Sequence, residues 1–121
     1  MPPPPDPAAV ARAFAAAVNM SLDELDSWLE TRESRKVGFR RDGATESVGH
    51  ASGRRIAAIL RTPEPARTAD DWAHMRKVVG FVRRHRAQEP ANPVTSRWRW
   101  SLMNWGHDPL KDRPSKEERE R

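Results

Sequence analysis

Residues 68–86, TADDWAHMRKVVGFVRRHR, carry the pattern from which the fold class follows. Trp72, Met75, Val78, Val79 and Val82 recur at intervals of three and four, the spacing that lines one face of an α-helix. Thr68 stands at the N-cap position, and Asp70 and Asp71 fall in the first turn, where the positive end of the helix dipole favours carboxylates. Arg83, Arg84, His85 and Arg86 crowd the opposite end, where cations are favoured. The pattern predicts a helix over about 69–88, with Lys77, Phe81 and Arg84 on the side opposite the apolar stripe and Arg76 and Arg83 on its shoulder.

The same grammar extends outward in both directions. Pro7 opens a helix to about Val18 with Asp6 as its cap, placing Val10, Phe14 and Val18 on one face. Ser21 and Glu24 form a capping box for a helix to about Glu30, with Leu22, Leu25, Trp28 and Leu29 as its buried stripe. A further helix runs from Gly49 or His50 to Arg61 and stops before Pro63. Gly53 inside it costs about 1 kcal/mol relative to alanine, so a bare backbone is wanted there, for close helix packing or for a ligand. After a linker at 62–67 and the long helix, Pro90 and Pro93 precede a last helix of about 94–105. Trp98, Leu102 and Trp105 share its core face, with Arg97, Trp100 and Asn104 on the other, and Gly106 caps its end.

Residues 34–49 fit none of this. Three glycines and an Asp42-Gly43 turn read as an ordered loop or short hairpin, and four basic residues make it a contact surface. The expectation is an all-α single domain of about five helices over residues 7–110, with a Gly-rich basic loop between the second and third. A Pro-rich tail at 1–6 and a charge-alternating tail at 111–121 are expected to be disordered.

Charge points to the class of partner. The 121 residues carry a formal net charge of +5. Residues 1–33 hold two basic and six acidic side chains, and the remainder holds 20 basic and 11 acidic. A basic body behind an acidic first segment suits a polyanion. Catalysis finds no support. There is no cysteine, which removes thiol chemistry and disulfides. His50, His74, His85 and His107 do not fall at metal-ligand spacing, so neither metal nor other cofactor is expected. Ser34, Ser52 and Ser101 lack the glycines of a nucleophile elbow, and no phosphate loop or dinucleotide fingerprint occurs. The chain starts without a positively charged leader, and its Ala-rich run is too short to span a membrane. A cytoplasmic protein is expected, nucleoid-associated if it binds DNA.

Two segments stand out as candidate sites. Residues 46–56, ESVGHASGRRI, bring glycines, small hydroxyls and free amides at a helix start together with two arginines, which can hold a phosphate. A Gly-rich turn feeding an Arg-bearing helix would look the same. Residues 97–100, RWRW, interleave cations with aromatics as stacking surfaces do. There Trp98 belongs to the core and Trp100 is the outward indole.

With Val18-Asn19-Met20-Ser21, Leu25 and Trp28-Leu29, then ESVGH at 46–50 and SGRRI at 52–56, HMRKVVG at 74–80, Arg97-Trp98-Arg99 and SLMNWGHDPLK at 101–111, the chain resembles a small family of uncharacterised bacterial and fungal proteins. That family carries a domain of unknown function, and its members are often labelled DNA-binding. The resemblance spans about residues 14 to 111, and it implies relatives without a mechanism to lend. Arg83-Arg84-His85-Arg86 is more basic here than in the family pattern, and the Pro-rich start departs from it.

The leading expectation is DNA binding of low sequence specificity, with RNA the other polyanion of that chemistry. Arg35, Lys36, Arg40, Arg41, His50, Arg54, Arg55, Lys77, Arg83, Arg84, Arg97 and Trp100 are the candidate contacts. No helix reads as a base-recognition helix. The alternative is a protein-interaction or regulatory module, in plasmid maintenance or stress response for example, docking a protein through its Trp-rich last helix or its acidic second helix.

Overall fold

The computed structural model describes residues 6–111. Among them are six α-helices and no strand: α1 (Pro7–Ala17), α2 (Leu22–Leu29), α3 (Arg32–Lys36), α4 (Val48–Arg61), α5 (Ala69–Arg86) and α6 (Arg97–Asn104), with a 3₁₀ turn at Glu64–Ala66. The expected all-α domain is present. Of the expected tails at 1–6 and 111–121, residues 1–5 and 112–121 lie outside the described residues.

Capping chemistry sets most of the boundaries. Asp6 accepts from the Ala9 amide at 3.0 Å. Ser21 and Glu24 exchange both bonds of a capping box, at 3.1 and 2.8 Å. Thr68 and Asp71 do the same at 3.1 and 3.0 Å, so Asp71 adds a capping bond to its electrostatic role. Ser47 caps α4 through the His50 amide, which starts that helix at Val48, before the predicted Gly49. Ser96 caps α6 through Arg99 and delays it to Arg97, three residues after the predicted start.

The predicted loop at 34–49 needs correction. Its first residues complete α3, which Thr31 caps through the Ser34 amide. Five residues are too few to show a helical period, so only the cap could have revealed it. Its last two residues begin α4, and the stretch between the helices is irregular, with a turn at Asp42-Gly43 closed by the Ala44 amide on the Arg41 carbonyl. No hairpin forms there.

Packing is organised by a short helix, the eight-residue α6. α1 lies along α5 and α2 along α4, while α6 touches α2, α3, α4 and α5. Leu25, Leu29, Ile56, Met75, Val78, Trp98, Leu102 and Trp105 meet in one core. Gly53 is where α4 crosses α6: an added Cβ would sit 2.5 Å from the Asn104 carbonyl oxygen and 2.6 Å from Leu29 Cδ2. Close packing therefore accounts for this glycine.

Asn104, expected on the outer face of the last helix, is instead fully buried. Its Oδ1 accepts from Trp28 Nε1 at 2.8 Å and from Ser34 Oγ at 2.5 Å, and its Nδ2 donates to the Ser34 carbonyl at 3.0 Å. One amide thus joins α2, α3 and α6. Past α6, Gly106 turns the chain at φ +79°. Asn19 and Asp108 then bond reciprocally, at 3.0 and 2.8 Å. Lys111, expected to begin a disordered tail, is held by the Asn19 carbonyl at 3.0 Å and Glu24 at 2.7 Å.

Candidate functional site

Between α4 and α5, with the loop after α3 as its third wall, lies a cleft of about 560 Å³. Arg54 and Arg55 reach it from α4, Lys77 from α5 and Arg41 from the loop; no carboxylate lines it. Ser52, His74 and Trp105 form its floor. Ser52 is buried, and its hydroxyl lies 2.9 Å from His74 Nε2, tying the two helices together.

Two of the four cations have partners at the rim. Arg54 makes a two-pronged contact with Glu46, at 2.7 and 2.5 Å, and holds that carboxyl down at about 2, with His50 contributing. Arg55 stands 3.5 Å from Asp71. The Arg54 side chain is 63% exposed and that of Arg55 43%, so each guanidinium keeps a face open to a ligand anion beside its carboxylate partner.

The positive field of the cleft shows in its histidine. Burial lowers the His74 pKa to about 4, and the charges of Arg55 and Lys77 push it the same way. His74 is therefore neutral at neutral pH. The sign of the stability effect follows. Between about 6.5, the ordinary value, and about 4, the unfolded chain binds a proton that the folded chain refuses. Stability is full above that window and falls as pH drops through it. The urea midpoint should decline from about pH 7 to about pH 5, and His74→Gln should flatten part of that decline. Burial lowers His85 as well, so a remainder is expected from that ring. An unchanged pH profile in His74→Gln would place the titration elsewhere.

A column of rings underlies the cleft. His74 stacks on Trp105 (6.1 Å, 13°), Trp105 on Phe81 (4.2 Å, 13°) and Phe81 on His85 (5.0 Å, 18°). Positions 74, 81 and 85 share a face of α5, and Trp105 is inserted between the first two. Phe81, predicted on the outer side of this helix, is drawn inward by Trp105.

The candidate contacts separate accordingly. Arg41, Arg54, Arg55 and Lys77 converge. Arg35 and Arg40 line an adjoining hollow that shares Arg54. The Arg40 guanidinium, however, is bonded to the carbonyls of Thr45 (3.3 Å), Lys36 (3.5 Å) and Arg35, and serves to fold the loop. Arg84 lies seven residues beyond Lys77 on the same stripe and folds back over Gly80. Lys36 is exposed on α3, outside the cleft. His50 is buried, with Nδ1 2.5 Å from Glu46 and Nε2 donating to the Leu29 carbonyl at 2.8 Å, so it is structural. Arg83 faces the groove between α1 and α5. Arg97 is exposed at the start of α6, and Trp100 is half-buried. Sequence reasoning reaches Ser52, through the small hydroxyls of segment 46–56, but not His74 or Trp105 as site residues. Those two lie on other elements without a local sign of a ligand, and only packing brings them to the cleft.

A family model described as a protein of unknown function (DUF3140) matches residues 13–103. The chain belongs to the DUF3140 family. The matched span takes in every residue of the cleft except Trp105, and ends inside α6. No curated protein and no solved structure matches the chain. In this DUF3140 protein no helix of the described residues is long and apolar enough to cross a membrane. Nor do the described residues gather three His or acidic side chains around a metal position.

Proposed function

We propose that this DUF3140 protein binds nucleic acid with low sequence specificity, holding phosphates in the cleft between α4 and α5. The observation that carries the reading is the convergence of Arg41, Arg54, Arg55 and Lys77 from three segments on one cleft without a lining carboxylate. Guanidinium and ammonium groups grip phosphate oxygens whatever the base sequence. Arg84 extends the positive stripe along α5, and Arg35 flanks it beyond Arg54.

Four phosphate contacts predict a definite salt dependence. With a slope near −0.9 per contact on duplex DNA, or about −0.7 on a single strand, affinity should fall about fifty- to a hundredfold between about 50 and about 200 mM salt. Anisotropy titration of a fluorescent random-sequence DNA at the two salt concentrations measures this. The double reversal Arg55→Glu with Lys77→Glu should reduce low-salt affinity at least about tenfold and flatten the slope by about two contacts. Both side chains are solvent-accessible, and unchanged circular dichroism would confirm an intact fold. No binding at low salt would overturn the reading. So would binding that ignores both salt and the charge reversal, which is the behaviour of an apolar protein interface.

A further inference from the structure

Phe39 is the most exposed large apolar side chain of the described residues, at 72%. An exposed aromatic is common in itself, but this one stands at the rim of a hollow of about 270 Å³ whose walls include Val48, Gly49, Phe81, His85 and Trp105. Val48 and Trp105 also line the cationic cleft, so the two depressions adjoin. The hollow falls below the usual size of a small-molecule pocket, which suits a single planar ring system. Gly49 is part of the fit, since a Cβ there would lie 3.2 Å from the indole nitrogen of Trp105.

The hollow is not purely apolar. His85 Nε2 is buried without a hydrogen-bond partner, an arrangement that native structures rarely leave unexplained. Ser101 adds a hydroxyl to the wall. A leucine or phenylalanine from a protein partner would leave the Ser101 hydroxyl unanswered. A nucleobase offers a flat face to Phe39 and an edge of donors and acceptors to the wall.

We propose that the ligand is single-stranded nucleic acid, with its phosphates on Arg41, Arg54, Arg55 and Lys77 and one unpaired base entering the hollow against Phe39. This rests on the phosphate-binding reading of the cleft and adds the strandedness of the ligand. In a duplex the bases are stacked and paired, so their faces cannot reach a ring beside the backbone; a single strand can turn one out.

Anisotropy titrations with a fluorescent single-stranded DNA, the RNA of the same sequence and the corresponding DNA duplex test it. Single strands should bind more tightly than the duplex. Phe39→Ala should weaken single-strand binding about tenfold, the scale of one stacked base, and leave duplex binding unchanged, whereas Phe39→Trp should retain it. Phe39 is exposed, so neither substitution threatens folding. Equal affinity for single strands and duplex, or no effect of Phe39→Ala, would overturn the inference. If the Arg55→Glu, Lys77→Glu protein is still weakened in that case, the cleft reading survives alone. Absence of binding to all three probes would remove both. The DNA and RNA arms distinguish which polymer is preferred.

Discussion

Gly53→Ala is expected to destabilise the fold by about 2 kcal/mol, although alanine is the better helix former. Propensity alone would give a gain of about 1 kcal/mol in mid-helix. Against it stands a Cβ placed 2.5 Å from the Asn104 carbonyl oxygen and 2.6 Å from Leu29 Cδ2. Leu29 is buried, and the carbonyl belongs to the backbone of α6, which is packed on four other helices. Neither can yield cheaply, so the overpacking penalty falls at or beyond the upper end of about 1–3 kcal/mol. Gly80→Ala is the control. Its added Cβ meets only the end of Arg84, 3.0 Å away, which can swing aside. That substitution should stabilise by about 0.5–1 kcal/mol. Urea unfolding of the two variants measures the contrast; a Gly53→Ala protein as stable as its parent would refute the close crossing.

The second large effect is expected at Asn104. Truncation to alanine withdraws an acceptor from Trp28 Nε1 and Ser34 Oγ and a donor from the Ser34 carbonyl. Unsatisfied buried groups cost about 1–3 kcal/mol each; because Trp28 is half-buried and can recruit water, the loss should come to about 3–5 kcal/mol. A domain of this size has about 5–15 kcal/mol in total, so the substitution removes a large part of its stability. Asn104→Asp keeps the acceptor but faces the Ser34 carbonyl with another oxygen, and should rescue only a little. Hydrogen exchange gives a local reading. The amides of α3 should lose protection first, because a five-residue helix has little stability apart from its docking. Protection at residues 32–37 equal to that of the parent would refute the hub.

Both sites show how much of the fold was legible in the sequence. Local signals were read well: the Ser21 capping box, the Pro7 start, the Thr68 cap and the stripe from Trp72 to Val82 all specify their helices through neighbours a few residues away. Gly53 was recognised as a contact point because a glycine in a good helix needs a reason. What escaped was non-local. Asn104 looks like an outer-face residue by angle, and only Trp28 and Ser34, 76 and 70 positions earlier, explain its burial. α3 was missed because one turn has no period.

The candidate binding surface divides along the same line. Arg54 and Arg55 came from a readable motif, and the structure joins them to Arg41 and Lys77. His50, in the same motif, is not equivalent to them, because both its ring nitrogens are occupied. Arg40 was spent on loop carbonyls, and Arg83 lay across α5, near α1. Charge in a sequence shows how many cations exist; how each one points depends on packing that a linear pattern does not encode. The proposed stacking residue is hard to read from sequence for a related reason. Trp100 sits in an attractive alternating motif, whereas Phe39 lies in an irregular segment where nothing periodic marks it as exposed.

The position of α6 bears on how the molecule is made. Eight residues near position 100 contact four other helices, and Trp98, Leu102 and Trp105 fill the middle of the core. A nascent chain lacking them can still lay α1 along α5 and α2 along α4, but the helix that joins the two pairs is absent, so the apolar faces turned toward it stay open until residue 105 has been made. Folding is therefore closed by its final turn of helix, and a stalled or clipped polypeptide ending before it is a substrate for chaperones and proteases, because its apolar surface stays uncovered.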